Sequence, residues 1–367
     1  MKNTMNAAIL GAGNGGLSIG AYLALKGWNI SLFDAFESQL SGVIEAGGLS
    51  LSGSLVNGFA RFAEITTDIG KALSGCSIIM VTTPAFAHRE LAERCAPFLS
   101  RGQIVVLNPG RTGGAMEFRQ KVLEVNPEAS FVSAESQTLI YACRKTGPAE
   151  AKIYRVKEKV PLAAFPSSET PLVIDALKSV YPQFEAASSI LETGLMNMGA
   201  IFHPAPAILN IARIESKEAF DHYTDGISPC VGEVLEQVDK ERVAIADALE
   251  VSTLSCRNWL GMAYGIWIEK EDTIRSALRK NEAYKGIKAP GDPYTRYITE
   301  DVPMSLVPLS ELGRIAGVQT PAMDNLINLA GLLHRTDYRE KGRTAKKLGI
   351  EGLTLKELKN YVITGIK

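Results

Sequence analysis

Six residues near the start of the chain, Gly11-Ala12-Gly13-Asn14-Gly15-Gly16, leave few folds open. They stand between an apolar run at 7–10 and a mostly apolar helical stretch at 17–26. A Gly-x-Gly-x-x-Gly turn that ends a strand and opens a helix is the phosphate-cradling element of a dinucleotide-binding βαβ unit. Gly11 permits the tight turn, Gly13 lets the backbone approach a pyrophosphate, and Gly16 lets the helix pack closely on the strand. The helix N-terminus, with Asn14 and Gly15 in it, offers unpaired N–H groups and the positive end of a dipole. A glycine-rich turn that binds nothing is the rival reading, and an acidic residue downstream argues against it. Asp34 ends the next strand-like run, 29–33, and lies 18 positions beyond Gly16. A carboxylate there accepts hydrogen bonds from ribose hydroxyls and repels a 2′-phosphate. Two like charges about 4 Å apart repel by roughly 4 kcal/mol at an effective dielectric of 20. No Lys or Arg follows in Ala35-Phe36-Glu37 to offset this, so NAD is favoured over NADP.

The same glycines decide a second question. Lys2 ahead of the apolar run 7–25 resembles a secretory leader, but five glycines and Asn14 break the run, which suits a turn rather than an apolar helix. No later stretch is long and apolar enough to span a membrane. Cys76, Cys95, Cys143, Cys230 and Cys256 form no C-x-x-C pair. Their odd, scattered pattern points to reduced thiols and a cytoplasmic home. The four histidines are isolated, so no metal is expected. With 39 Lys+Arg against 40 Asp+Glu, the chain lacks the basic excess of a nucleic-acid binder, and small molecules are the expected partners.

Further strand-like runs at 77–81, 103–107 and 131–134 alternate with helical stretches such as 86–98. That alternation implies a doubly wound α/β domain with a parallel sheet. Short runs at 154–156 and 162–165 read as strands closing this domain. Beyond about residue 191 helical spacing takes over, as in Val231, Val234, Leu235, Val238, Ile245 and Leu249, with Ser228-Pro229 as cap and first helical residue. Stretches at 272–278, 310–316, 321–333 and 355–361 also read as helices. The expected division is an N-terminal α/β domain over 1–187 and an all-helical domain over 188–367.

Ligands of such sheets bind outside the carboxyl ends of the strands. Three loops fall there. Thr82, Thr83 and Pro84 are placed to line the cofactor's ribose. Asn108 and Pro109 open a polar loop, with Arg111 in it, where nicotinamide and substrate belong. Glu135 brings a carboxylate toward the same crevice. Each loop also has the composition of an ordinary turn. In the helical half, His203 precedes Pro204, which disfavours helical geometry at the histidine and interrupts the helix. A lone histidine at such a break is either a proton-transfer group or a satisfied structural residue.

Several motifs in the same order resemble one family. Asn197-Met198-Gly199-Ala200-Ile201-Phe202-His203-Pro204, Tyr141-Ala142-Cys143-Arg144 and Thr295-Arg296-Tyr297-Ile298-Thr299-Glu300-Asp301 are similar to segments of the octopine/nopaline (opine) dehydrogenases. So are Asn108-Pro109-Gly110, Tyr284-Lys285-Gly286-Ile287 and the stretch from Val307 to Arg314. The resemblance implies an N-terminal Rossmann domain, a C-terminal helical domain, and NAD(P)H-dependent condensation of an amino acid with a 2-keto acid such as pyruvate. The product is a secondary-amine dicarboxylate, and the reverse reaction oxidises it. By resemblance His203 is the proton donor and acceptor, oriented by Asp301. Arg296 would hold the keto-acid carboxylate, and Glu135 the incoming amino group. Arg111 is a second cation in the nicotinamide-side loop, serving either an extra substrate carboxylate or solvent alone. The family contains monomers and dimers, so a homodimer stays open.

The chemistry fits these types. A protonated His203 polarises a carbonyl and protonates the departing hydroxyl, Asp301 fixes its tautomer, and a guanidinium clamps a carboxylate in two bonds. The competing enzyme is a 2-keto or 2-hydroxy acid dehydrogenase of the ketopantoate reductase kind, which needs no amino acid. The competing non-enzyme is a dinucleotide-binding protein without catalysis, against which His203, Arg296 and Asp301 together argue.

Overall fold

A computed structural model describes residues 5–367, so Lys2, weighed above as part of a leader, lies outside the described residues. Two compact units divide the chain. The first comprises Met1–Thr193 together with Asn360–Lys367, the second Gly194–Lys359. The sequence placed everything after 187 in the helical part, whereas the last eight residues belong with the first unit. There the Tyr361 ring meets Phe165 edge-on at 5.0 Å.

Among the described residues of the first unit there are twelve strands: β1 (Asn6–Leu10), β2 (Asn29–Phe33), β3 (Leu49–Gly53), β4 (Gly58–Ala60), β5 (Glu64–Thr66), β6 (Ile78–Val81), β7 (Ile104–Leu107), β8 (Val132–Ser136), β9 (Tyr141–Gly147), β10 (Glu150–Val156), β11 (Val160–Phe165) and β12 (Phe184–Ala186). The main sheet has the order β12-β11-β8-β7-β6-β1-β2-β5. From β5 to β8 all neighbours are parallel, in the order of a doubly wound dinucleotide-binding sheet. β6 and β7 are buried throughout, as strands covered on both faces must be. β11 runs antiparallel to β8, and β12 is parallel to β11. The sheet is therefore mixed rather than wholly parallel. The physical reason is the connection: β8 and β11 are joined through the β9–β10 hairpin, not by a crossover helix, so no parallel return is imposed.

The run expected at 154–156 belongs elsewhere. It is the end of β10, which joins a second sheet of order β4-β3-β10-β9. This sheet packs on the helix Asn14–Leu25 that follows the glycine turn. Its strands alternate buried and exposed residues, Leu49 and Leu51 on β3, Tyr141 and Cys143 on β9, Ala151 and Ile153 on β10. One face is covered and the other is solvated.

The second unit is helical. Its longest helix, Pro229–Leu249, begins as the sequence implies, with the Ser228 hydroxyl accepting from Val231 N–H and Pro229 at the first position. Arg242, wholly buried, bonds Asp239 and the carbonyls of Leu195 and Leu254, while Asp239 accepts from Cys256 N–H. Each hydrogen-bonding edge of that buried ion pair thus finds a partner, which burial of charge requires. Glu241 accepts from the N–H groups of Ala322 and Met323 and so caps the helix Pro321–His334, whose own cap residue Thr320 makes no side-chain capping bond. A π-helical segment, Val302–Leu306, leads into the helix Val307–Ala316. Among the described residues no helix is long and apolar enough to cross a membrane.

Candidate active site

The glycine turn lies at the carboxyl end of β1, between the ends of β2 and β6. Gly11 has φ +111°, and a Cβ there would stand 3.0 Å from Thr82 Oγ1. A Cβ on Gly16 would stand 1.7 Å from the carbonyl oxygen of Gly11, so only glycine lets the helix start this close to the strand. Around Gly13 nothing among the described residues lies within 4 Å of a Cβ position. Gly13 is the extended N-cap of the helix Asn14–Leu25 and has no side-chain cap. The turn therefore presents helix N–H groups toward open space, which is what a pyrophosphate requires. Gly15 is covered by the Leu139 side chain at 3.3 Å.

Asp34 has a task of its own. Its Oδ2 accepts from Ala12 N–H at 2.7 Å and its Oδ1 from Phe36 N–H at 3.0 Å. The carboxylate thus ties the glycine turn to the end of β2 and keeps lone pairs for a further donor. The Asn14 side chain is likewise structural: its Oδ1 accepts from Lys145 N–H at 2.8 Å, joining the turn to β9. The Thr82 hydroxyl reaches the carbonyls of Leu10 and Gly11, at 3.1 and 2.9 Å, and supports the turn from below. Pro84 leads into the short 3-10 helix Ala85–Ala87. Two buried oxygens at these strand ends, Thr83 Oγ1 and Asn108 Oδ1, have no hydrogen-bond partner among the described residues. Asn108 precedes Pro109 through a cis peptide, and its amide N–H donates to Val106 O at 2.8 Å. Unmatched buried oxygens beside an open glycine turn fit a ligand rich in hydroxyl and amide donors, as a nicotinamide dinucleotide is.

Glu135 is engaged by donors of its own unit. β8 extends through Ser136, and Glu135 pairs across to Leu107 and Ala163 near the carboxyl end of the strand. The residue is wholly buried. Its Oε2 accepts from Ala115 N–H at 2.8 Å and its Oε1 from the Thr193 hydroxyl at 2.7 Å. It serves the N-terminus of the helix Gly114–Val125, whose cap residue Gly113 offers no side chain. Gly110 must be glycine for the same reason, since a Cβ there would come within 2.4 Å of the Glu135 side chain. Arg111 takes a left-handed φ of 63° in this loop. Its charge is felt by Lys157, whose Nζ donates to Thr138 Oγ1 and Leu139 O at 2.6 and 2.9 Å. Burial, with Arg111 adding and Cys143 opposing, pushes the Lys157 pKa down to about 8.

In the second unit His203 sits at the junction of two short helices, Gly199–Phe202 and Pro204–Leu209. Its Nδ1 lies 2.8 Å from Asp301 Oδ2. The aspartate is 1% exposed and the histidine side chain 20% exposed. A buried carboxylate at Nδ1 fixes the tautomer and leaves Nε2 as the nitrogen that exchanges protons. Asp301 stands at the start of the π-helical segment, a distortion common at functional sites. Arg296 lies on the preceding short helix Arg296–Thr299. One edge of its guanidinium is held by Glu300, with Nε donating to Oε2 at 2.7 Å and Nη2 to the same oxygen. The side chain is 60% exposed while Glu300 is buried, so the guanidinium is oriented and still accessible.

Within the second unit the structure thus joins His203, Asp301 and the segment of Arg296, while Glu135 in the first unit serves as a helix partner. Glu300 went unread in the sequence, although its i,i+4 spacing from Arg296 was a usable sign. Thr193, His222 and Tyr297 carried no such sign.

Comparison with known proteins follows this division. The family model for NAD/NADP octopine/nopaline dehydrogenase, alpha-helical domain, matches residues 186–334. A ketopantoate reductase model matches residues 7–137. Along its full length the chain is 38% identical to an opine dehydrogenase of Arthrobacter sp. (strain 1C), covering 99% of this chain and 100% of that one. This chain belongs to the opine dehydrogenase family. It is accordingly a nicotinamide-dependent oxidoreductase of the class acting on CH–NH donors. The octopine dehydrogenase of Pecten maximus is 24% identical over 88% of this chain and 89% of its own. A solved octopine dehydrogenase structure, determined with NADH and L-arginine, has the same fold, with a TM-score of 0.82 at 22% identity and 99% of both chains covered. A ketopantoate reductase structure from Ralstonia eutropha JMP134 aligns less well, with a TM-score of 0.57 at 17% identity over 90% of this chain and 99% of that one.

Proposed function

We propose that this opine dehydrogenase joins the amino group of an amino acid to a 2-keto acid of the pyruvate kind, using NADH, and runs the reverse oxidation. The observation that carries the catalytic assignment is the His203–Asp301 pair at 2.8 Å, with the imidazole stacked on Tyr297, the residue that follows the Glu300-tethered Arg296. Arg296 binds the keto-acid carboxylate through the edge that Glu300 leaves open. Protonated on Nε2, His203 donates to the carbonyl oxygen as the amine attacks, takes up the proton that the newly bonded nitrogen releases, and returns it to the hydroxyl that leaves as water. Asp301 keeps Nδ1 protonated and stabilises the imidazolium. Bound NADH supplies the hydride that reduces the resulting C=N bond. The residues that would hold it are the glycine turn 11–16, Asp34 at the ribose, and Thr83 and Asn108 through their unmatched oxygens. NAD is favoured over NADP because Asp34 is anchored at the rim of the turn and Glu37 follows it. Reduced, unpaired cysteines fit a cytoplasmic enzyme.

The test is a matrix of keto acids against amino acids, followed by NADH oxidation and mass spectrometry of the products. Activity only with both partners and a condensed product is expected. Equal activity with a keto acid alone would instead assign the ketopantoate-reductase chemistry to which the match over 7–137 points. His203→Ala should abolish most turnover while NADH affinity persists, and near-normal turnover would remove His203 from the mechanism.

A further inference from the structure

His203 is attached where two helices break, a place that does not restrain a side chain by itself. Asp301 holds one ring nitrogen, and a single hydrogen bond still allows the ring to rock and to turn about its Cβ–Cγ bond. A second restraint is present. The Tyr297 ring lies parallel to the imidazole, with centroids 4.2 Å apart and planes 9° from coincident. A planar neighbour at stacking distance leaves no room for a half-turned imidazole, because the edge of the turning ring would enter the phenol.

Tyr297 is itself backed. His222 lies against it at 4.8 Å and 49°, and Tyr223 meets His222 edge-on at 4.7 Å and 90°. His222 is wholly buried, and its Nε2 lies 3.3 Å from the carbonyl oxygen of Phe202, the residue preceding His203. The stack therefore closes on the backbone that carries the catalytic ring. Burial, with the neighbouring His203 adding to it, pushes the His222 pKa down to about 4, so the backing ring stays neutral and donates Nε2–H to that carbonyl.

We infer that Tyr297 is a positioning residue whose ring, held between His222 and His203, fixes the plane of the catalytic imidazole. Nothing about the tyrosine hydroxyl is required, only a flat ring. The inference rests on the reading of His203 as the proton-transfer group. The test compares Tyr297→Phe, Tyr297→Leu and His203→Ala in the full-length enzyme. Thermal midpoint and NADH affinity serve as folding controls. In Tyr297→Leu, kcat should fall about 100-fold, the loss typical of a misplaced reacting group, with the keto-acid KM changed less than about threefold. Tyr297→Phe should restore most of that loss. Independently of turnover, the 15N signals of the His203 ring should show one tautomer, protonated at Nδ1, in the native and Phe enzymes and an averaged pattern in the Leu variant. An unchanged tautomer pattern with near-native kcat in Tyr297→Leu overturns the inference. So does a Tyr297→Phe variant as impaired as Tyr297→Leu, which would make the hydroxyl the working group. If His203→Ala turns over normally, the underlying catalytic assignment falls instead, a result separable from both.

Discussion

Two glycines of the same turn should fail in opposite ways when each is given a single methyl group. In Gly16→Ala the new Cβ would stand 1.7 Å from Gly11 O and 2.6 Å from Thr82 Oγ1. Contacts below 3.0 Å are essentially never seen for a Cβ, so the Gly11 carbonyl must retreat by at least 1.3 Å (3.0 − 1.7). That movement strains the Gly11 N–H bond to Phe33 O and the Ala12 N–H bond to Asp34. Overpacking of this kind costs about 1–3 kcal/mol. For a unit of this size that lowers Tm by roughly 2–12 °C. Gly13→Ala meets nothing within 4 Å, and the φ of Gly13, −81°, suits alanine. Its Tm should stay within about 2 °C of native, because the folded chain is not disturbed. The methyl group would instead occupy the space over which the cofactor phosphates approach the helix N–H groups. Losing one charge-assisted hydrogen bond, about 1.5–3 kcal/mol, weakens NADH binding by roughly 10- to 150-fold. Thermal melts and a fluorescence titration with NADH check both variants. A Gly13→Ala enzyme that binds NADH normally, or that melts as early as Gly16→Ala, would refute the assignment of this turn to the pyrophosphate.

Other outcomes follow from the same geometry. Asp34→Ala should narrow the preference for NADH over NADPH by at least about tenfold, through lost charge repulsion, in paired titrations with the two cofactors. It should also lower Tm, because the Ala12 N–H loses its acceptor. Lys157 has a folded pKa of about 8, below its ordinary value of 10.5, so the folded state binds fewer protons than the unfolded one between those values. Stability from this group therefore rises as pH climbs from about 8 to 10.5, and a Lys157→Met enzyme should lose that rise in urea titrations across the range. Arg296→Lys should raise the keto-acid KM about tenfold or more while NADH affinity is unchanged, since an ammonium cannot reproduce the bidentate clamp.

Much of the nucleotide unit was legible because its strands are unbroken apolar runs and its turn residues are glycines. The bounds of β2 match the run read from the sequence, and β1 and β6 differ from theirs by one residue. The second sheet went unread because its strands are half solvated. In β10 the buried Ala151 and Ile153 alternate with Lys152 and Tyr154, and only the last three residues looked strand-like. The reversed direction of β11 depends on which connection precedes it, a property of topology rather than of its own residues. The candidate site divides in the same way. His203 announced itself through Pro204, but its pairing with Asp301, 98 positions away, came from family resemblance and not from spacing. Glu135 was correctly placed at the end of the sheet, yet its work depends on Thr193 and on the missing side chain of Gly110. Such three-body arrangements leave no trace in a linear pattern.

The chain leaves its nucleotide-binding unit after Thr193 and comes back to it at Asn360. The helical unit is in this sense an insertion in a host, not an appendage on its end. A nucleotide-binding fragment cut at residue 193 would lack Tyr361, which packs on Phe165, and Gly365, which lies beside Pro166. A self-sufficient fragment would have to splice the final eight residues back onto the first 193. The same topology makes the helical segment exchangeable in principle, since a host closed by its own tail can accept different inserts between two fixed chain ends.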